Sequence, residues 1–171
     1  MTAAPASTPA LTIRELLDYT AAETERWHRW FTAQPAQVLD VPVGEGRTAT
    51  VRGLVQHIIA VERRYADRLL GDPVTPYEAI PTDSADALFT AFTEARARLE
   101  RYLATATPED LARRLEFQTL SAGAQSASAR KIVLHALVHG IRHWAQVASA
   151  LRQHGHATDW MHDLLASDAL T

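Results

Sequence analysis

The sequence predicts an all-α fold, a four-helix bundle with a short extra helix near the C-terminus. Apolar residues recur at helical spacing in four long segments, which are separated by short stretches rich in proline, glycine and small polar residues. No alternation of polar and apolar residues, as expected of a half-buried strand, continues over any length. With 171 residues, 47% of them hydrophobic, the chain can form one domain with a proper core. We expect this domain at 11–171, after a disordered tail at 1–10.

The first helix is predicted to begin at Thr12, because Thr12 and Glu15 together have the form of a capping box. It should end near Ala33, since Pro35 cannot continue a helix. Its apolar side is formed by Ile13, Leu16, Leu17, Trp27, Trp30 and Phe31. A loop rich in proline and glycine follows at 37–47.

The second helix is predicted to start at Thr48 or Thr50, either of which can cap it. It should end at Gly71, a natural residue for a helix C-terminus. Its inner face is defined at helical spacing by Leu54, Ile58, Val61, Tyr65 and Leu69.

The third helix follows a loop at 72–82 that contains three prolines. Asp83 or Ser84 is expected to start it, and it should run to about Thr105. Its inward residues are Leu88, Phe89, Phe92, Leu99 and Leu103, whereas Arg and Glu face outward.

The remaining chain is predicted to hold the fourth long helix, at about 129–153. Before it we expect a short helical turn after Pro108, an extended segment at 115–120 and a small, polar loop at 121–128. After it we expect the extra helix, at about 160–166.

Composition excludes several classes of function. The net charge of −3 gives no electrostatic reason to expect a nucleic-acid partner, and no segment approaches the roughly 20 apolar residues of a membrane span. The first ten residues lack the basic and apolar regions of a signal peptide, so we expect a soluble, cytoplasmic protein. Because cysteine is absent, there can be no disulfide, thiolate ligand or cysteine nucleophile, and any thiol in the chemistry must come from outside.

A histidine stripe is the most informative feature for function. His135, His139 and His143 are spaced by four on the fourth helix, with Gln146 three residues further on. Residues spaced by four lie on one face of a helix, and two imidazoles so placed can bind one divalent metal. The competing interpretation is the solvated face of an amphipathic helix. The other solvated faces of this chain are built from Arg, Glu, Asp and Thr, which favours the metal.

A third ligand would have to come from another helix, as in other helical bundles with metal sites. His57 on the second helix borders the core and is the candidate, although a single histidine there is also typical of a hydrogen-bonded structural residue. Glu62 is predicted to be a surface charge, with a contact to a ligand as the alternative.

The order of these motifs resembles the DinB/YfiT-like superfamily over nearly the whole chain. The matching segments are the run from Leu54 through His57 to Glu62, the histidines from His135 to Gln146, and the run from Leu151 to Gly155. The segment 159–165 also looks like the closing segment of that family.

The resemblance implies a four-helix bundle, commonly a homodimer, with a divalent metal such as nickel or zinc held by three histidines. In this sequence the implied ligands are His57, His139 and His143, and His135 corresponds to an extra histidine that is not a regular ligand. After the last ligand this chain has Trp144 and Ala145, where an Arg-Gly pair is common in the family.

Characterised members of that superfamily include transferases and isomerases that use low-molecular-weight thiols. The resemblance therefore implies a metal-dependent enzyme that adds such a thiol to a small electrophile, through a thiolate formed at the metal. A metal-dependent hydrolase and a non-enzymatic metal- or ligand-binding stress protein are the alternatives. Gln146 could orient a bound molecule and Tyr65 could donate a proton, with ordinary packing as the other interpretation of both. Trp30 and Trp144 are the expected contributors to a dimer interface.

Overall fold

Four long helices make up most of the structure, a computed structural model that describes residues 11–119 and 122–169. In chain order the elements are α1 (Ile13–Ala33), α2 (Val51–Leu70), α3 (Ala85–Thr105), the short α4 (Pro108–Ala112), β1 (Arg114–Thr119), β2 (Gly123–Ser128) and α5 (Ala129–Gln153). Short 3-10 turns lie in the connections. The predicted helical fold is confirmed, and the tail predicted at 1–10 lies outside the described residues.

The helix ends follow the capping signals of the sequence. In the capping box of α1, Thr12 Oγ1 accepts a hydrogen bond from the Glu15 amide at 3.1 Å, and the Glu15 carboxylate accepts one from the Thr12 amide at 2.7 Å. Thr50, not Thr48, caps α2. Gly71 ends α2 with φ +75°, a left-handed conformation that glycine adopts without steric cost.

A two-stranded hairpin occupies the segment before α5. Its strands are antiparallel, with register from Arg114↔Ser128 to Thr119↔Gly123. The extended segment predicted from Leu115 is confirmed as far as Thr119, but the loop predicted at 121–128 is wrong over 123–128, which form β2. The small Ala, Ser and Gly residues of β2 give no strand pattern by themselves, and β1 supplies their backbone partners.

The segment after α5 is less helical than predicted. It contains a single 3-10 turn, Leu164–Ala166, preceded by non-helical backbone. Trp160 and His162 are directed toward Glu23 on α1, whose carboxylate lies 3.3 Å from Trp160 Nε1 and 3.2 Å from His162 Nδ1. These contacts hold the chain end against α1.

An aromatic cluster fills one end of the bundle. Trp27 is fully buried, and its ring stacks on Trp144 with centroids 5.0 Å apart and on Phe31 at 5.5 Å. Trp144 is 8% exposed, so it is a core residue and the expectation that it contributes to a dimer interface is wrong. The predicted homodimer itself stays a prediction. Among the described residues, none of the helices combines the length and apolar character needed to cross a bilayer.

A buried ion pair links α2 to α3. The guanidinium of Arg96 donates from Nε and Nη2 to the two oxygens of Glu62, at 2.7 and 3.0 Å. Its Nη1 donates to the Leu17 carbonyl and to the Thr20 hydroxyl on α1. Glu62 is 3% exposed, so the prediction of a surface charge is wrong. A helical pattern gives the direction of a side chain but not the neighbour that covers it.

We expect Arg96→Ala to lower the free energy of unfolding by about 3–5 kcal/mol, because it leaves the Glu62 carboxylate buried without a partner. Urea denaturation measures this change. Arg29→Ala is the matched control, since Arg29 pairs with Glu25 on the exposed side of α1, and it should cost about 0.5 kcal/mol or less. Equal losses in the two variants would contradict a structural role for the buried pair.

Candidate metal centre

Two helices bring three histidine side chains together. His57 lies on α2, and His139 and His143 lie one turn apart on α5. The Nε2 atom of His139 is 3.1 Å from Nε2 of His57 and 3.0 Å from Nε2 of His143. All three residues are half-buried, and each offers a nitrogen to a set whose atoms lie within 4.8 Å of one another. The structure thus brings together the three predicted ligands.

The helix rotations that create this cluster are set by the apolar core. Ile58 and Ile59 follow His57 directly and are buried, as are Leu137 before His139 and Trp144 after His143. Turning either helix to move a histidine would expose one of these apolar side chains to water. The free-energy cost is roughly 25 cal/mol for each Å² of apolar surface exposed. The imidazoles therefore lie at the border of the core, where the α2–α5 contact places them.

The cluster favours neutral imidazoles. Burial, reinforced by the neighbouring His143, lowers the pKa of His57 to about 4 and that of His139 to about 3. Burial also lowers the pKa of His143, against the opposing effect of its hydrogen bond with Gln146. At neutral pH the three rings are therefore uncharged, which is the form that binds a metal.

Gln146 fixes the tautomer of His143. Its amide oxygen Oε1 lies 2.5 Å from Nδ1 of His143. Because an amide oxygen can only accept, the imidazole donates from Nδ1, and Nε2 is left with its lone pair directed at the cluster. A hydrogen bond of this kind orients a metal-binding histidine. His139 has no such partner within the described residues, where its Nδ1 is buried without a hydrogen bond.

The geometry of the cluster fits a cation better than a hydrogen-bonded network. His139 Nε2 faces two other Nε2 atoms but can carry only one proton, so at most one of the two contacts can be a good hydrogen bond. A cation instead accepts a lone pair from all three nitrogens. Nitrogens bound to a tetrahedral zinc at about 2.0–2.1 Å lie about 3.3 Å apart, close to the two separations that involve His139.

A cavity of about 510 Å³ adjoins the cluster, with His57 and His139 in its wall. Tyr65 and His135 also line it. The His135 ring lies edge-on to the Tyr65 ring, with centroids 5.4 Å apart, and is tilted relative to the His139 ring, with centroids 5.5 Å apart. His135 is outside the three-nitrogen set. Gln146 contacts His143 but does not line the cavity.

Sequence reasoning missed four other residues of this cavity, namely Arg47, Arg64, Arg68 and Tyr77. Arg47 and Tyr77 give no signal in the sequence, because they come from the loops before and after α2 and meet only in the fold. Arg64 and Arg68 do give one, since they are spaced by four on α2 and so share a helix face. A larger surface groove, of about 730 Å³ beside Trp30 and Trp160, contains none of the three clustered histidines.

Comparisons with known proteins agree with this fold. The family model of the DinB family matches residues 7–169. The crystal structure of a DinB-like protein from Bacillus subtilis, YjoA, is similar with a TM-score of 0.58 and 18% sequence identity, over 88% of this chain and 96% of that chain. At this identity the likeness concerns the fold alone. A comparison with curated proteins found no significant match.

We expect the stability of the metal-free protein to decrease as the pH falls from about 6.5 toward 4. In this range an unfolded chain protonates its histidines, near their ordinary pKa of 6.5, whereas folded His57 and His139 stay neutral until about pH 4 and 3. The unfolded state therefore binds more protons, and the free energy of unfolding rises with pH in this window. Urea denaturation at a series of pH values measures the slope.

The control for this prediction is the double variant His57→Asn and His139→Asn, which lacks the two titrating rings. Its slope between about pH 5 and 6.5, above the range in which most carboxylates titrate, should be shallower than that of the wild type. Identical slopes would contradict the lowered pKa values.

Proposed function

Because this chain belongs to the DinB family, we propose that it is a divalent-metal-dependent enzyme that transfers a low-molecular-weight thiol to a small electrophilic substrate. His57, His139 and His143 are the ligands in this proposal, and zinc or nickel is the metal. The observation that carries it is the convergence of three neutral ring nitrogens beside a cavity large enough for a small molecule.

Three protein ligands and an adjoining cavity are typical of a catalytic rather than a purely structural metal site. A divalent cation held by neutral imidazoles supplies Lewis acidity, which lowers the pKa of a thiol or water molecule that binds beside it. The chain has no cysteine, so the thiol must be a cosubstrate that enters from solvent. In this proposal the thiol enters the cavity whose wall contains His57 and His139.

Tyr65 is the proposed proton donor. Tyr65 is a protonated phenol at neutral pH, and burial raises the pKa of its hydroxyl further, so it keeps its proton until a reacting group that gains negative charge accepts it. Its ring is held edge-on between His135 and Phe117, with centroids 5.4 and 5.7 Å away. A hydroxyl in this wall can give a proton to the group that leaves the electrophile, or to the atom that gains negative charge.

Gln146 is a positioning residue in this proposal. It acts through His143, whose Nε2 lone pair it directs toward the other two nitrogens. Removal of such a contact typically weakens metal affinity by about 10- to 100-fold.

We expect protein purified without a histidine tag to contain about one divalent metal per chain, bound by the three imidazoles. His139→Ala should reduce the metal to background, because His139 Nε2 is the nitrogen that contacts both others. Elemental analysis after gel filtration measures the content. His135→Ala is the matched control on the same helix and should keep its metal. Wild-type protein without metal, or metal retained in His139→Ala, would refute the site.

We expect the metal-loaded protein to consume low-molecular-weight thiols in the presence of small electrophiles. Tyr65→Phe should lower kcat by about 100-fold while leaving the metal content unchanged. Tyr19→Phe, which removes a hydroxyl outside this cavity, is the control and should leave kcat unchanged. Thiol loss is followed by a colorimetric thiol assay, and hydrolysis of carboxylic esters is followed in parallel. Ester hydrolysis without thiol consumption would replace the transferase by a hydrolase, and bound metal without either reaction would contradict an enzyme.

A further inference from the structure

We propose that the cavity beside the histidine cluster binds its small-molecule substrate through an anionic group, a carboxylate or phosphate, held by Arg47, Arg64 and Arg68. The inference rests on the proposed function, because it assigns a chemical class to the molecule that reaches the same site. The wall of this cavity is positively charged.

The cavity wall carries three guanidinium groups, and no Asp or Glu among the described residues lines it. None of the three forms a salt bridge within the part of the chain that the structure describes. Elsewhere in the described residues eight arginines pair with carboxylates, namely Arg14, Arg26, Arg29, Arg52, Arg63, Arg96, Arg98 and Arg101. Five others, Arg113, Arg114, Arg130, Arg142 and Arg152, form no such pair there, so what distinguishes Arg47, Arg64 and Arg68 is that all three line one cavity. A guanidinium is always protonated, and holding three of them together without a counter-charge is unfavourable. An anion that enters the cavity relieves this repulsion.

Arg64 and Arg68 are held in place by backbone carbonyls. Arg64 Nη1 donates to the carbonyl of Thr75 at 2.6 Å, and Arg68 donates to the carbonyls of Arg64 and Gln118 at 2.9 and 3.0 Å. The Arg68 guanidinium also lies over the rings of Tyr65 and Phe117. Burial and the neighbouring charge of Arg64 lower the pKa of Arg68, and the nearby Asp67 carboxylate acts in the opposite direction. Asp67 is itself paired with Arg63 and Arg98. The carbonyl and ring contacts fix Arg64 and Arg68 without adding negative charge, so their attraction for an anion is kept.

Arg47 and Tyr77 supply a second, independent indication. The Arg47 guanidinium lies 4.9 Å from the centroid of the Tyr77 ring and makes no hydrogen bond within the described residues. Tyr77 is 6% exposed, and its hydroxyl is buried without a hydrogen-bond partner in the same part of the chain. Arg47 and Tyr77 both line the cavity, so a cation without a salt bridge and a residue with an unpartnered donor lie in one wall. An oxyanion in the cavity neutralises the cation, and it reaches the Tyr77 hydroxyl only when that side chain turns toward the cavity.

The site's position explains why an anion would be useful to the reaction. Arg64 and Arg68 are on α2, two and three turns beyond His57, and His57 and His139 line the same cavity. An anionic group bound at the arginines would anchor one end of a small molecule while its electrophilic atom lies nearer the histidines. Anchoring of this kind reduces the entropy lost when the reacting groups meet.

The test is titration of the zinc-loaded protein at moderate ionic strength with succinate, methyl phosphate and the neutral analogue succinamide, followed by calorimetry and amide NMR shifts. We expect saturable binding of at least one anion and none of succinamide. Arg47→Gln should lower the affinity for the anion about tenfold or more, because one charge-assisted contact is lost. Arg47→Lys keeps the positive charge and should lower the affinity less. Arg47 is exposed and its side chain makes no hydrogen bond within the described residues, so its replacement should not disturb the fold. Circular dichroism verifies that the variant folds.

Arg152→Gln is the matched control, because it removes one exposed positive charge on α5 outside the cavity. It should leave the affinity unchanged within about twofold at moderate salt. The tighter of the two anions identifies the carboxylate or the phosphate as the group recognised. No saturable binding of either anion, equal binding of succinamide, or equal weakening by Arg152→Gln would overturn the inference.

Metal-free protein, titrated in the same way, separates this inference from the proposed function. Anion binding that depends on Arg47 and persists without metal supports the inference even if the metal-retention experiment fails. A protein that retains metal and consumes thiol, yet binds neither anion, overturns the inference and leaves the proposed function standing.

Discussion

The contact between α2 and α5 sets the position of His57 relative to His139, 82 residues later in the chain. Neither helix could form a three-nitrogen cluster alone, since α5 contributes two imidazoles and α2 the third. The buried apolar residues next to each histidine fix how the two helices are rotated. The packing of the core therefore also determines where the three imidazoles lie. The cavity, the neutral imidazoles and the position of Tyr65 all follow from that packing.

What could be predicted from the sequence is what depends on local or periodic signals. Thr12, Gly71 and the histidines spaced by four carry their meaning within a few residues, and the family was identified from the order of such motifs. Glu62 could not be assigned in this way, because Arg96 on another helix determines its environment. The β2 strand was missed because its small residues acquire strand structure only by pairing with β1.

The arginines of the core and of the cavity differ in their hydrogen-bond acceptors. The core arginine is fully matched, since Arg96 has Glu62 and two further oxygens as acceptors. At the cavity, the acceptors of Arg64 and Arg68 among the described residues are neutral carbonyls. The first arrangement stabilises the fold and the second leaves an electrostatic attraction for an incoming molecule.

The β1–β2 hairpin gives this scaffold a route to change what it recognises. Thr119, Ala122 and Gln125 of this segment form part of the cavity wall, yet they lie outside the buried core of the four long helices. Mutations there can therefore change the shape of the cavity wall without exposing apolar core surface. Homologues of this protein can thus differ in specificity through changes in the β1–β2 hairpin while the four long helices stay the same.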